Sequence, residues 1–112
     1  MDRIVSKPIL PVAQMAAAIG FYRRLGFEVR SYDRSYAWVM HSGVEIFHLR
    51  LVEGLSSNPA AVYLHVRDVA PWHATWADCG IEVAAIEDQP WGMREFTMTD
   101  PSGNLLRVGQ NI

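Results

Sequence analysis

The chain has 112 residues, half of them hydrophobic and 20% charged, with a net charge of -2 and a pI of about 6.0. That is enough for one modest globular domain with its own core. The mild acidity argues against a nucleic-acid partner, which would call for a basic face. The single cysteine, Cys79, excludes an intrachain disulfide. The opening MDRIVSKPILPV holds no long apolar run, so no signal peptide or membrane span is expected and the cytoplasm is the default compartment.

In chain order, a first strand ends at Val12 and a helix starts at Gln14, its apolar positions Met15, Ile19, Tyr22 and Leu25 falling at helical spacing. Gly26 lies just past the helix end, where a left-handed cap is cheap for glycine. The chain leaves as a strand through Phe27-Glu28-Val29. Strands over about Tyr36–Met40 and Val44–Leu51 follow, joined at His41-Ser42-Gly43. The polar stretch GLSSNP, residues 54–59, reads as a linker.

A second strand–helix unit begins beyond it. The strand ends at Val66, Asp68 is a good N-cap, and Pro71 sits in the first turn, where its missing N–H costs little. Val69, Trp72, Trp76 and Cys79 follow helical spacing, Gly80 closes the helix, and a strand is predicted through Ile81-Glu82-Val83. Strands over about Arg94–Thr99 and Asn104–Val108 are joined by DPSG. There Asp100 suits the first position of a type I turn, Pro101 the second and Gly103 the fourth.

The two units are copies at an offset of 54. VAQMAAAIGFYRRLGFEV (12–29) and VRDVAPWHATWADCGIEV (66–83) share five identities in eighteen positions: Val12/Val66, Ala16/Ala70, Gly26/Gly80, Glu28/Glu82 and Val29/Val83. Each half reads βαβββ. The expected fold is α+β, one domain over 1–112 made of repeat one (1–53), the linker (54–59) and repeat two (60–112). Two half-sheets would pair around a cleft with the helices outside.

Strand alternation assigns the faces. Val62, Leu64 and Val66 form one set, and Ala61, Tyr63, His65 and Arg67 the other. Phe47, Leu49 and Leu51 oppose Val44, Ile46, His48 and Arg50. Leu106 and Val108 oppose Leu105, Arg107 and Gly109, and Tyr36, Trp38 and Met40 share a face. One side of each sheet thus collects Tyr, Trp, His and Arg, an amphipathic surface suited to a ligand. Trp72 and Trp76 read as core, Met15, Met40 and Met98 as core filler, Cys79 as a small apolar helix residue, and Arg23-Arg24 and Glu87-Asp88 as solvated surface. Trp91, in a loop beside the flexible Gly92, has less packing reason to be there and reads as a ligand-facing ring.

The paired βαβββ pattern, with FYRRLGFEV at 21–29 and DPSGNLLRV at 100–108, resembles the vicinal oxygen chelate superfamily: glyoxalase I, extradiol dioxygenases, fosfomycin-modifying enzymes and bleomycin resistance proteins. The resemblance covers essentially the whole chain. It implies, for the enzymes, a divalent metal held by His and Glu from the first and last strand of each half. Those positions fall here at about Lys7, His48, Ala61 and Arg107, and only His48 can ligate. Three protein ligands are needed for such a site, so no metal, no cofactor and no metal-dependent catalysis are expected.

QPWGMREFTMTDPSGN, SYAWVMHSGVEIF and AVYLHVRDVAPWHATW look like stretches of the bleomycin resistance proteins. That resemblance implies sequestration of an unmodified glycopeptide antibiotic by an arm-exchanged homodimer, with aromatic planes sandwiching the drug's flat bithiazole. The expected ligand-binding residues are Tyr36, Trp38, His48, Tyr63, His65, Trp91, Gly92 and Arg107, with none catalytic. Lys7 and Arg107 would work against a cationic drug and suit an anionic ligand. The alternative is a glyoxalase- or dioxygenase-related protein that binds or transforms another small organic molecule, with Arg107 as anion anchor.

Overall fold

The computed structural model describes residues 2–55 and 60–112. The chain divides into two compact units, 1–57 and 58–112. Four of the six predicted linker positions, 56–59, lie outside the described residues.

The first unit runs β1 (Ile9–Val12), α1 (Met15–Arg24), β2 (Glu28–Asp33), β3 (Tyr36–His41) and β4 (Val44–Leu51). Its sheet order is β1-β4-β3-β2, parallel between β1 and β4 and antiparallel elsewhere. Alternation puts Leu10, Val12, Val39, Phe47 and Leu49 on the helix side, all buried, and α1 covers them with Met15, Ala18, Tyr22 and Leu25. Ala18 takes the fully buried place predicted for Ile19, which is only half-buried. Tyr22 is fully buried, edge-on to Phe47 at 5.2 Å. Burying each large apolar side chain contributes about 1.5–3 kcal/mol, so this layer carries the unit.

The second unit runs β5 (Ala61–His65), α2 (Val69–Asp78), β6 (Glu87–Asp88), β7 (Met93–Thr99) and β8 (Leu105–Asn111). Its order is β5-β8-β7-β6, again parallel only between β5 and β8. Val62, Phe96, Met98, Leu106 and Val108 form the helix-side core with Val69 and Trp76.

The repeat is clearest at the helix ends. In α1, Gly26 N donates to Arg23 O and Phe27 N to Tyr22 O; in α2, Gly80 N donates to Ala77 O and Ile81 N to Trp76 O. Both glycines have positive φ, +96° and +78°, the closure that an L side chain resists. The starts differ. Gln14 makes no side-chain cap, whereas Asp68 Oδ1 accepts from Ala70 N at 3.2 Å and Gln110 Oε1 accepts from Val69 N at 2.9 Å.

The DPSG hairpin forms as its residues predict. Gly103 N donates to Asp100 O at 3.0 Å, and Asp100 Oδ1 accepts from Ser102 N and Asn104 N. Asn104 Oδ1 in turn accepts from Ala60 N, tying the turn to the start of β5.

Two expectations are corrected. The strand predicted through Ile81–Val83 is not one; the edge strand is the two-residue β6 further on. Residues 81–86 form no strand, although Ala84 still reaches β7, its N donating to Thr97 O while its O accepts from the His73 ring. Trp72, predicted as core, is half-buried, lying edge-on to the fully buried Trp76 at 5.7 Å. Arg23, read as solvated surface, is exposed, and its Nη2 also donates to Val29 O. Among the described residues no helix is long and apolar enough to cross a membrane.

Candidate ligand-binding site

On the sheet face away from α1, Trp38 of β3 pairs with His48 of β4, and Tyr36 lies one step along the same face. Tyr36 Oη is 2.7 Å from His48 Nδ1, and His48 Nε2 is 2.7 Å from Glu45 Oε1. The rings meet edge-on: Tyr36–His48 at 5.4 Å, Trp38–His48 at 6.3 Å, Tyr36–Trp38 at 6.2 Å. Tyr32, 71% exposed, extends the group beside Trp38 at 5.8 Å.

Glu45 joins this face through a bulge. Strict alternation puts residues 45 and 48 on opposite faces. The register, however, passes from Val39↔Phe47 to Met40↔Glu45, leaving Ile46 as an extra residue, and the phase of the strand flips. Glu45 thereby comes to His48, whose hydrogen bond holds the Glu45 carboxyl below its ordinary range. Lys7 Nζ stands 4.0 Å from the same carboxylate.

The second unit carries a different group on the corresponding face. Glu95 of β7 is buried, 3% exposed. Its Oε2 accepts from Tyr63 Oη at 2.7 Å and from Trp91 Nε1 at 3.3 Å, and its Oε1 from Arg107 Nη1 at 3.1 Å. Burial pushes the Glu95 carboxyl up, but these three donors outweigh it and hold the group below the ordinary carboxylate range. The Tyr63 hydroxyl is pushed up to about 12, by burial first and by Glu95 second.

Strand order explains why one glycine is essential. Tyr63 on β5 must cross β8 to reach Glu95 on β7, a span of two strand spacings, roughly 10 Å. Gly109 of β8 pairs with Glu95 and lies beneath that path. A Cβ there would collide with the Tyr63 hydroxyl and ring and crowd Glu95 Cγ. Beside this cluster, Ala84, Ala85, Gln89, Thr97, Glu95 and Arg107 help line a cavity of about 220 Å³.

The structure therefore gathers Tyr36, Trp38 and His48 in one group, and Tyr63, Trp91 and Arg107 in another. His65 is exposed at the end of β5, edge-on to Tyr63 at 6.3 Å. Gly92 sits in the turn before β7, its N donating to Gln89 O. Trp91 is 62% exposed although its N–H is anchored. Arg107, predicted as a bare cation, faces the Glu95 carboxylate instead, and Lys7 faces Glu45. Sequence reasoning missed the two carboxylates at the centres, Glu45 and Glu95. The available signal was a carboxylate set directly beside an apolar residue within each strand, Glu45 before Ile46 and Glu95 before Phe96. Among the described residues, no three His, Cys, Asp or Glu side chains group as a metal site.

Residues 1–108 match the family model described as Glyoxalase/Bleomycin resistance protein/Dioxygenase superfamily. A bleomycin resistance protein of Geobacillus stearothermophilus is 31% identical, the match covering 96% of each chain. The crystal structure of a bleomycin-binding protein complexed with bleomycin superposes with a TM-score of 0.88 at 25% identity, over 98% of this chain and 100% of the other. The bleomycin-binding protein from bleomycin-producing Streptomyces verticillus, complexed with copper(II)-bleomycin, gives 0.81 at 26% identity, over 96% and 97%. With two duplicated βαβββ units, their shared helix closures and matches along nearly its whole length, the chain belongs to the glyoxalase/bleomycin resistance protein/dioxygenase superfamily.

Proposed function

We propose that this protein binds and sequesters a bleomycin-type glycopeptide antibiotic without modifying it, as a cytoplasmic, arm-exchanged homodimer whose chain forms one domain from repeats 1–53 and 60–112. The observation that carries the reading is Trp91. Its indole is 62% exposed, yet its N–H is tied to the buried Glu95. An exposed ring held at its edge keeps its faces free, and a preorganised plane loses little freedom on stacking a flat heteroaromatic group. Tyr63, 43% exposed, sits on the same carboxylate, while Tyr36, Trp38 and Tyr32 offer aromatic edges in the other unit.

Charge supports the same ligand. With Arg107 paired to Glu95 and Lys7 beside Glu45, neither cation stands alone to repel a cationic drug. The donors do not fit a divalent metal. Both ring nitrogens of His48 are engaged, Ala61 has no donor atom, and Lys7 and Arg107 are cations. No catalytic step is assigned to any residue.

Calorimetric titration with bleomycin, with and without copper, tests the proposal. Saturable binding at two sites per dimer is expected, with Trp91→Ala losing at least about tenfold in affinity while staying folded. No heat at high micromolar drug would remove the reading. Unchanged affinity in the variant would return Trp91 to a packing role.

A further inference from the structure

His48 is bonded at both ring nitrogens, and the two partners together dictate where its proton lies. Glu45 Oε1 is at Nε2 and Tyr36 Oη at Nδ1, each at 2.7 Å. An ionised carboxylate only accepts. The hydrogen bond from His48 keeps the Glu45 carboxyl in that form near neutral pH. Nε2 therefore carries the ring proton. In the neutral imidazole Nδ1 is then a bare lone pair, and the proton filling the second contact is the Tyr36 phenol's own. With its hydrogen committed inward, the Tyr36 oxygen turns only lone pairs toward anything that approaches.

We infer that Tyr36 Oη is a hydrogen-bond acceptor for a ligand N–H, an ammonium or amide group, fixed in that role by the His48 tautomer that Glu45 imposes. The inference rests on the binding role proposed above and adds to it the chemistry that one subsite selects. A carbonyl or carboxylate brought to the same oxygen meets lone pairs against lone pairs. Tyr36 is the contact; His48 and Glu45 are positioning residues.

The test has a ligand-free arm and a ligand arm, both on the full chain. Nitrogen-15 NMR of the histidine rings, recorded well above the ordinary imidazole pKa of about 6.5 so that the neutral form is observed, should show His48 protonated at Nε2 and bare at Nδ1. In Glu45→Ala that preference should relax toward a mixture of tautomers while the protein stays folded, an effect no purely structural role predicts. Tyr36→Phe should bind bleomycin about 3- to 10-fold more weakly than the wild type, with unchanged melting. A proton at Nδ1 in the wild type overturns the inference. So does equal bleomycin affinity in wild type and Tyr36→Phe, an outcome that leaves sequestration standing. No binding of bleomycin to the wild type sinks both.

Discussion

The two polar clusters occupy corresponding places in the duplicated scaffold and differ in almost everything else. His48 pairs with Ile9 across the parallel β1–β4 ladder; Arg107 pairs with Tyr63 across β5–β8. Tyr36 in one unit takes the place of Glu95 in the other, as Trp38 takes that of Thr97. The first cluster is a partly solvated line, phenol to imidazole to carboxylate, with the Glu45 side chain 38% exposed. The second is a node, three donors converging on one carboxylate with a side chain only 2% exposed. Duplication thus sets where a polar group can stand on the sheet, and the neighbours that reach it set what it does. A line that ends on a carboxylate has its proton order set from that end, here by Glu45. A node is held more rigidly, because three donors share one buried carboxylate.

That contrast can be broken most forcefully at Gly109. Gly109→Ala should cost about 3 kcal/mol in denaturant unfolding, since the new methyl drives the outer end of the Tyr63 ring off Glu95 and breaks its bond to a buried carboxylate. A variant as stable as the wild type would show that Tyr63 does not need that path.

Glu95→Gln comes next, with an expected loss of about 2 kcal/mol at neutral pH as the Arg107 pair is weakened. The pH dependence has a definite sign. The folded Glu95 carboxyl lies below its unfolded value, so its stabilisation is complete above the ordinary carboxylate pKa of about 4.3 and is lost as pH falls below it. The gap between wild type and Glu95→Gln should therefore narrow on acidification. A gap that stays constant or widens would contradict the node.

The smallest effect should come from the solvated line. His48→Gln is expected to cost about 0.5 kcal/mol, because water replaces the partners it leaves at the exposed end. A loss matching that of Glu95→Gln would erase the distinction between line and node.

Much of this was legible before any coordinates. Apolar spacing located both helices, the matched Gly26 and Gly80 exposed the repeat, and alternation sorted Phe47, Leu49, Leu106 and Val108 inward from Tyr36, Trp38, His48 and Arg107. DPSG named its own hairpin, and the Trp91-Gly92 pair marked a ring out of place in a core. These features are local, set by backbone preferences over a few residues or by period-two and period-3.6 burial.

What only the tertiary structure decided was which polar groups meet. A bulge at Ile46 turned Glu45 toward His48 against the alternation of its strand. The order β5-β8-β7 sent Tyr63 over Gly109 to a carboxylate 32 residues away. The edge strand formed at Glu87–Asp88 and not at Ile81–Val83. A carboxylate carries no mark of its future donors, because strand order and register, which bring them within 3.3 Å, emerge only when the whole sheet is assembled.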